Sequence, residues 1–189
     1  MSNVNKTSPK KTGANKPLTD NAAGQVSTGI DPKTMSIIVT KGTLDWAYPP
    51  FILATTAAAM GLKVSMFFTF YGLPLLLKDL DLQISALGNP AMKMPMMGMH
   101  MGMPNLVSAL PGMDAAASKM MKNLTKKKGV ASIDELRDLA VEAEVRLIAC
   151  QMTMDLFEYS TDDMIESVEL GGAATYIEVA TNSHINLFI

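Results

Sequence analysis

Cysteine is almost missing from this chain of 189 residues: Cys150 is the only one. A single thiol excludes an intramolecular disulfide framework and a cysteine-based zinc site. Charged residues are also scarce, at 18 %, whereas hydrophobic residues reach 48 %. That balance is the reverse of an intrinsically disordered chain. No basic excess exists either. The formal net charge is −2, which gives no electrostatic reason to bind nucleic acid. No G-x-G-x-x-G or Walker pattern occurs, so no phosphate-cradling signature is present. Nothing in the sequence assigns a metal or an organic cofactor.

An unbroken apolar run long enough for a membrane is missing too. Residues 46–77 are strongly apolar, but Pro49, Pro50, Gly61, Lys63, Gly72 and Pro74 punctuate them. The stretch Tyr48–Leu62 falls short of the roughly 20 residues a span needs. Lys63 near the middle of a longer span would cost about 3 kcal/mol. A buried helix followed by a buried strand accounts for this segment, and membrane association is the disfavoured alternative. Residues 1–34 hold five lysines against two aspartates, with no aromatic residue and no apolar run. Such a segment cannot offset its ordering entropy, so a disordered tail is expected there. It lacks the apolar core of a secretory signal. The expected location is therefore the cytoplasm, whose reducing conditions suit a lone free thiol.

What remains, residues 35–189, reads as one α/β domain. Met35–Lys41 is a short β-branched run that ends at Gly42 and predicts a strand. Asp45 is placed to cap a helix, with Pro49 and Pro50 in its first turn. The alanine-rich run Phe51–Met60 continues that helix to Gly61. Lys63–Phe70 is almost continuously apolar, as in a parallel strand covered on both faces. Asp114 is read as the cap of a helix over Ala115–Lys128, whose late lysines suit its C-terminal dipole end. Ser132–Glu135 is a capping box that opens another amphipathic helix. Val145–Cys150 predicts a strand, followed by a helix from Met152 to Tyr159 that begins near Thr153. Thr161 caps a turn over Asp162–Val168. Ala173–Ala180 predicts a helix after Gly171-Gly172, and Ile185–Ile189 a last strand. Alternating strands and helices argue a layered α/β sandwich with a mostly parallel sheet.

Cys150 then occupies an informative place. It ends a predicted buried strand just before a helix start. In open parallel sheets, ligands bind at the carboxyl ends of strands, near the topological switch point. A helix N-terminus offers free N–H donors, which lower a thiol's pKa. The competing reading is a buried small hydrophobe, a common fate of free cysteine.

The segments SIIVTKGTLDWAYPPFILATTAAAMG, KVSMFFTFYGL, ACQMTMDLF and GGAATYIEVATNSHINLFI, together with a methionine-rich stretch, resemble the DsrE/DsrF-like sulfurtransferase family. The resemblance covers about residues 35–189 and is strongest to a DsrE-like subgroup often labelled peroxiredoxin family. It implies a flavodoxin-like three-layer sandwich that assembles into homo-oligomers. It also implies a covalent sulfur adduct on Cys150, passed to or from a sulfur-carrier partner with an acceptor or donor thiol. Inorganic sulfur anions such as thiosulfate or polysulfide are the implied small partners. The peroxiredoxin label finds no support, since no second cysteine in the chain can resolve a sulfenic acid. Glu158 stands where many relatives carry glycine. The implied chemistry is thiol–disulfide exchange with sulfur leaving groups. Backbone N–H groups near Gln151, Met152 and Thr153 are placed to cradle the adduct, with the Thr153 hydroxyl as helper.

Seventeen methionines are the other surplus, and seven of them fall within residues 89–104 around His100. Pro90, Pro95, Gly98, Gly102 and Pro104 predict a long loop without regular structure. Thioethers and an imidazole suit Cu(I), but an adaptable apolar flap or partner surface accounts for the segment more simply. His184 reads as a capping or core residue, and Asp155 as a first-turn charge. The rival functional reading is a non-catalytic interaction protein that uses the apolar stretch and the methionines for contacts.

Overall fold

Alternation decides the first strand. Met35, Ile37 and Val39 of β1 (Thr34–Val39) point into one core, while Ser36 and Ile38 face the other side. The computed structural model describes residues 32–85, 93–96, 99–102 and 112–189. The expected tail therefore lies outside the described residues up to position 31, and its last residue, Thr34, already belongs to β1.

Helix α1 (Leu44–Ala59) starts earlier than the sequence suggested. Its N-cap is Thr43, not Asp45, and the Thr43 carbonyl accepts from the Trp46 and Ala47 N–H groups. Asp45 sits inside the first turn and turns its carboxylate to Ser85, accepting from the backbone N–H (2.8 Å) and the hydroxyl (2.6 Å). Pro49 and Pro50 consequently lie in the second turn, where they deprive two upstream carbonyls of helical partners. The helix turns Leu44, Ala47, Pro50, Phe51, Ala54 and Ala57 inward. Phe51 packs on Phe68 with ring centroids 5.9 Å apart. Burying such a side chain contributes about 1.5–3 kcal/mol.

Strand β2 (Lys63–Phe68) is shorter than expected because a 3-10 segment, Phe70–Leu76, takes over at its end. That segment drives Leu73, Leu75 and Leu76 into the main core. The methionine-rich stretch departs from the loop expectation where it is described. Strands β3 (Lys93–Met96) and β4 (Met99–Gly102) pair antiparallel, Met94 with Met101 and Pro95 with His100. With two residues joining them, Met96–Met99 is the hydrogen-bonded closing pair. Pro95 then falls at a non-hydrogen-bonded position, where a missing N–H costs the ladder nothing.

Helix α2 (Met113–Lys127) is capped by Gly112 at φ 86°, so Asp114 is a first-turn residue and not the cap. Helix α3 (Ile133–Glu142) has the expected capping box, with Ser132 and Glu135 bonded reciprocally. Its Arg137 is buried and donates to the Leu75 and Leu77 carbonyls, which ties α3 to the end of the 3-10 segment. Strand β5 (Arg146–Cys150) leads directly into α4 (Gln151–Phe157). A short 3-10 turn, Thr161–Asp163, follows with Ser160 as its cap, where a longer turn was expected. The next element, β6 (Val168–Gly171), is a strand in a region read as helical turn. Backbone bonds from Lys78 N–H to Asp163 and from Ile165 N–H to Leu76 pull the chain out straight before it pairs with β5. Helix α5 (Ala173–Thr181) and β7 (Ile185–Phe188) complete the chain's order of elements.

The main sheet is wholly parallel, in the order β6-β5-β2-β1-β7. Helices α1 and α3 cover one face over the large core. Helix α5 crosses the other face on its way back to β7, over a small core of Phe67, Ile148, Cys150 and Tyr176. Reversing the direction of strand addition moves the crossover to the opposite face, as right-handed connections require. The result is the expected three-layer sandwich. The switch in strand order falls between β1 and β7, two strands away from Cys150. His184 lies before β7 and bonds Thr34 at the start of β1, a structural tie between strand ends. Among the described residues, no helix is long and apolar enough to cross a membrane.

Candidate functional site

Cys150 is the last residue of β5 and the N-cap of α4. It exposes 4 % of its surface and belongs to the smaller core, with Phe67, Ile148 and Tyr176. Its strand partner is Gly171, on β6. A Cβ at Gly171 would come within 2.7 Å of an Ile148 methyl and 3.2 Å of Thr175. The absence of a side chain there lets β6 and α5 close on this end of the sheet.

Thr153 is fully buried on the inner side of α4. Its hydroxyl lies 3.1 Å from the Thr69 hydroxyl and accepts the Phe70 N–H at 3.1 Å. Parallel pairing of β2 with β5 aligns Phe68 with Ala149, so Thr69 follows β2 at the level of Cys150. Two forces act on the thiol. Burial pushes its pKa up. The Thr153 hydroxyl and N–H, the Thr69 hydroxyl and the Met152 N–H favour the anion and outweigh burial, so the pKa lies below the ordinary thiol value.

Backbone strain marks the neighbouring loop. Phe70 has φ 47°, a left-handed conformation that costs a bulky residue about 1–3 kcal/mol. Its N–H is thereby aimed at Thr153. The loops after β1 and β2 are pressed together as well. A Cβ on Gly42 would strike the Tyr71 carbonyl, and one on Gly72 the Val39 carbonyl. Tyr71 stacks on Phe157 of α4 with centroids 5.9 Å apart, and Phe157 meets Tyr159 edge-on.

Of the residues singled out from sequence, Cys150 and Thr153 are brought together. Met152 contributes its N–H, while its side chain points outward. The Gln151 side chain is turned away and donates to Asp155 at 2.8 Å. Thr69 and the Phe70 N–H were missed. No local pattern marks them, because Thr69 reaches the site only through the parallel pairing of β2 with β5.

The chain is similar to known proteins over most of its length. The chain is 56 % identical over 160 residues to the sulfur carrier protein DsrE2 of Allochromatium vinosum, a match covering 85 % of this chain and 100 % of that protein. It is 32 % identical over 160 residues to the uncharacterized protein YrkE of Bacillus subtilis, covering 83 % and 97 %. The crystal structure of the ychN protein from E. coli superposes with a TM-score of 0.52 at 12 % identity, covering 83 % of this chain and 99 % of that one, and so shares the fold. Residues 31–188 match the sequence profile described as the DsrE/DsrF/DrsH-like family, and with a match of that extent the chain belongs to it.

Proposed function

We propose that this protein is a sulfur carrier that holds sulfane sulfur on Cys150 and exchanges it with the thiol of a partner protein. The observation that carries the reading is the setting of the thiol: the end of a parallel strand, with Thr153, Thr69 and the Met152 N–H favouring its anion. The family and the sulfur carrier at 56 % identity supply the class of cargo. The Cys150 thiolate attacks a sulfane sulfur, and a thiolate or sulfite leaves with the electron pair of the broken bond. A new S–S bond on Cys150 results. A second thiolate then attacks that adduct's outer sulfur and regenerates Cys150. Attack on thiosulfate gives a persulfide plus sulfite, and attack on a partner's persulfide gives a persulfide plus that partner's thiolate. The Met152 and Thr153 N–H groups stabilise negative charge on the sulfur, and Gln151 acts only as the first residue of α4. No metal or organic cofactor enters this chemistry. The carrier works as a homo-oligomer in the cytoplasm.

The test is intact-mass analysis after exposure to polysulfide, thiosulfate or tetrathionate. The parent chain gains sulfur atoms that a thiol reductant removes. Cys150→Ser, nearly isosteric, keeps its melting temperature and gains none. An undiminished adduct in Cys150→Ser would end the reading.

A further inference from the structure

We infer that the partner exchanging sulfur with Cys150 is a protein that presents its thiol on a basic, partly apolar surface, and that free inorganic sulfur anions are disfavoured at this site. The inference rests on the Cys150 reading above and concerns what seats against it. From residue 151 to residue 189 the chain carries seven carboxylates and neither lysine nor arginine. All seven lie on exposed residues. Asp155 stands in the helix that Cys150 caps, Glu158 ends that helix, and Asp162 and Asp163 form the next turn. Arg146 neutralises Glu169 at 2.7 Å, farther back along β5 and β6. Lys78 faces the turn, but its ammonium bonds the Asp162 carbonyl at 2.8 Å. Lys41 lies over the Trp46 ring, 3.2 Å from its centroid.

An apolar surface adjoins these acids. Met152 and Leu156 are four residues apart on one stripe of α4 and expose 61 % and 59 % of their surfaces. Tyr71, stacked on Phe157 of the same helix, exposes 71 %. Exposed apolar groups gathered beside a reactive group mark a contact surface. Cys150 itself is nearly closed off, so whatever reacts with it must seat closely against this frame. A dianion such as thiosulfate meets like charge on approach. A Lys- or Arg-bearing surface is drawn in, and its apolar groups find Met152, Leu156 and Tyr71. The exchange balances with no further reactant. The Cys150 thiolate bonds to the outer sulfur of the partner's persulfide, the partner's S–S bond breaks, and its thiolate leaves and takes a proton from solvent.

Two synthetic peptides test this. Each has one cysteine activated as a mixed disulfide with thiopyridine, flanked by lysines in one and by glutamates in the other. At about 20 mM salt the lysine peptide should react with the full chain about tenfold faster or more, and the ratio should fall toward one at about 0.5 M salt. Asp155→Lys with Glu158→Lys should abolish or reverse the preference while the melting temperature and the rate with a neutral disulfide stay near parental values. Should that pair disturb the fold, Asp155→Asn with Glu158→Gln should still narrow the ratio. Equal rates for the two peptides, or a preference that neither pair changes, overturns the inference. Loading from a neutral organic trisulfide, which carries sulfane sulfur without charge, separates the two levels. An adduct on Cys150 without peptide preference refutes the basic partner and leaves the carrier reading standing, whereas no adduct from the neutral donor refutes the carrier reading itself.

Discussion

Thr153→Val replaces one hydroxyl by a methyl group with little change of shape at the centre of the site, which makes its consequences calculable. The hydroxyl accepts the Phe70 N–H, lies against the Thr69 hydroxyl and favours the Cys150 thiolate. A hydrogen bond to a charged group is worth about 1.5–3 kcal/mol. The low end of that range moves the thiol–thiolate equilibrium about tenfold toward the thiol and shifts the midpoint of the rate–pH profile upward. The more basic thiolate is intrinsically more nucleophilic, with a Brønsted coefficient of about 0.4–0.5. Below the parental midpoint the net rate with a neutral aromatic disulfide should therefore drop about three- to fourfold, while the plateau rate at high pH rises about threefold. The stranded Phe70 N–H adds a stability loss of about 1–3 kcal/mol, or roughly 2–12 °C in Tm for a domain of this size. Stopped-flow rates against pH, with Tm in parallel, give both readouts, and Thr153→Ser should restore both. A lower Tm with an unmoved pH midpoint would show that Thr153 only braces the loop, and would refute its role at the sulfur.

Two further expectations concern stability. Glu158 ends α4 in the left-handed region at φ 58°, so Glu158→Gly should relieve strain worth about 1–2 kcal/mol against an unfolded-state cost of about 0.4–1 kcal/mol. Its net effect is a rise in Tm of roughly 1–4 °C, and a fall would refute the strain. Asp45→Ala, which strips two hydrogen bonds from Ser85, should cost about 1–3 kcal/mol at pH 7. Partial burial pushes the Asp45 pKa up, but the two hydrogen bonds from Ser85 outweigh it and hold the carboxyl below its ordinary value. The clamp is thus complete above the unfolded-state pKa of about 3.9 and disappears as pH falls through the lower folded value. Thermal melts of parent and Asp45→Ala should converge in strong acid, and a gap that persists there would contradict the sign.

Most strands were legible because their signal is local and redundant. Met35–Val39, Lys63–Phe68 and Arg146–Cys150 are apolar runs that both faces of a covered sheet demand, and each ends near a glycine, a threonine or a helix start. The errors cluster where a tertiary bond overrides a local preference. Asp45 has the chemistry of an N-cap, yet its carboxylate holds Ser85, forty residues away, and Thr43 takes the end of the helix. Val168–Gly171 has too few residues for a strand pattern to emerge, and only pairing with β5 straightens it. Pro95 argued against a strand, but a proline is excluded only where its N–H would face the partner, and hairpin parity places it elsewhere.

The site divides along the same line. Cys150 was readable because a unique thiol at a strand end leaves few alternatives, and Thr153 because it lies in the first turn of the next helix. Thr69 was not, because its place depends on β2 being the parallel neighbour of β5, a pairing across some eighty residues that no local pattern encodes. The strain at Phe70 is hidden for the same reason. A left-handed phenylalanine becomes tolerable when its N–H gains a buried acceptor, and that acceptor, Thr153, comes from another element. The sequence therefore singles out the thiol, while the sheet order assembles the groups that favour its anion. Sheet order also gives one hydroxyl two duties. Thr153 favours the Cys150 thiolate and accepts the Phe70 N–H, so reactivity and local order at this end of the sheet should change together when Thr153 is altered.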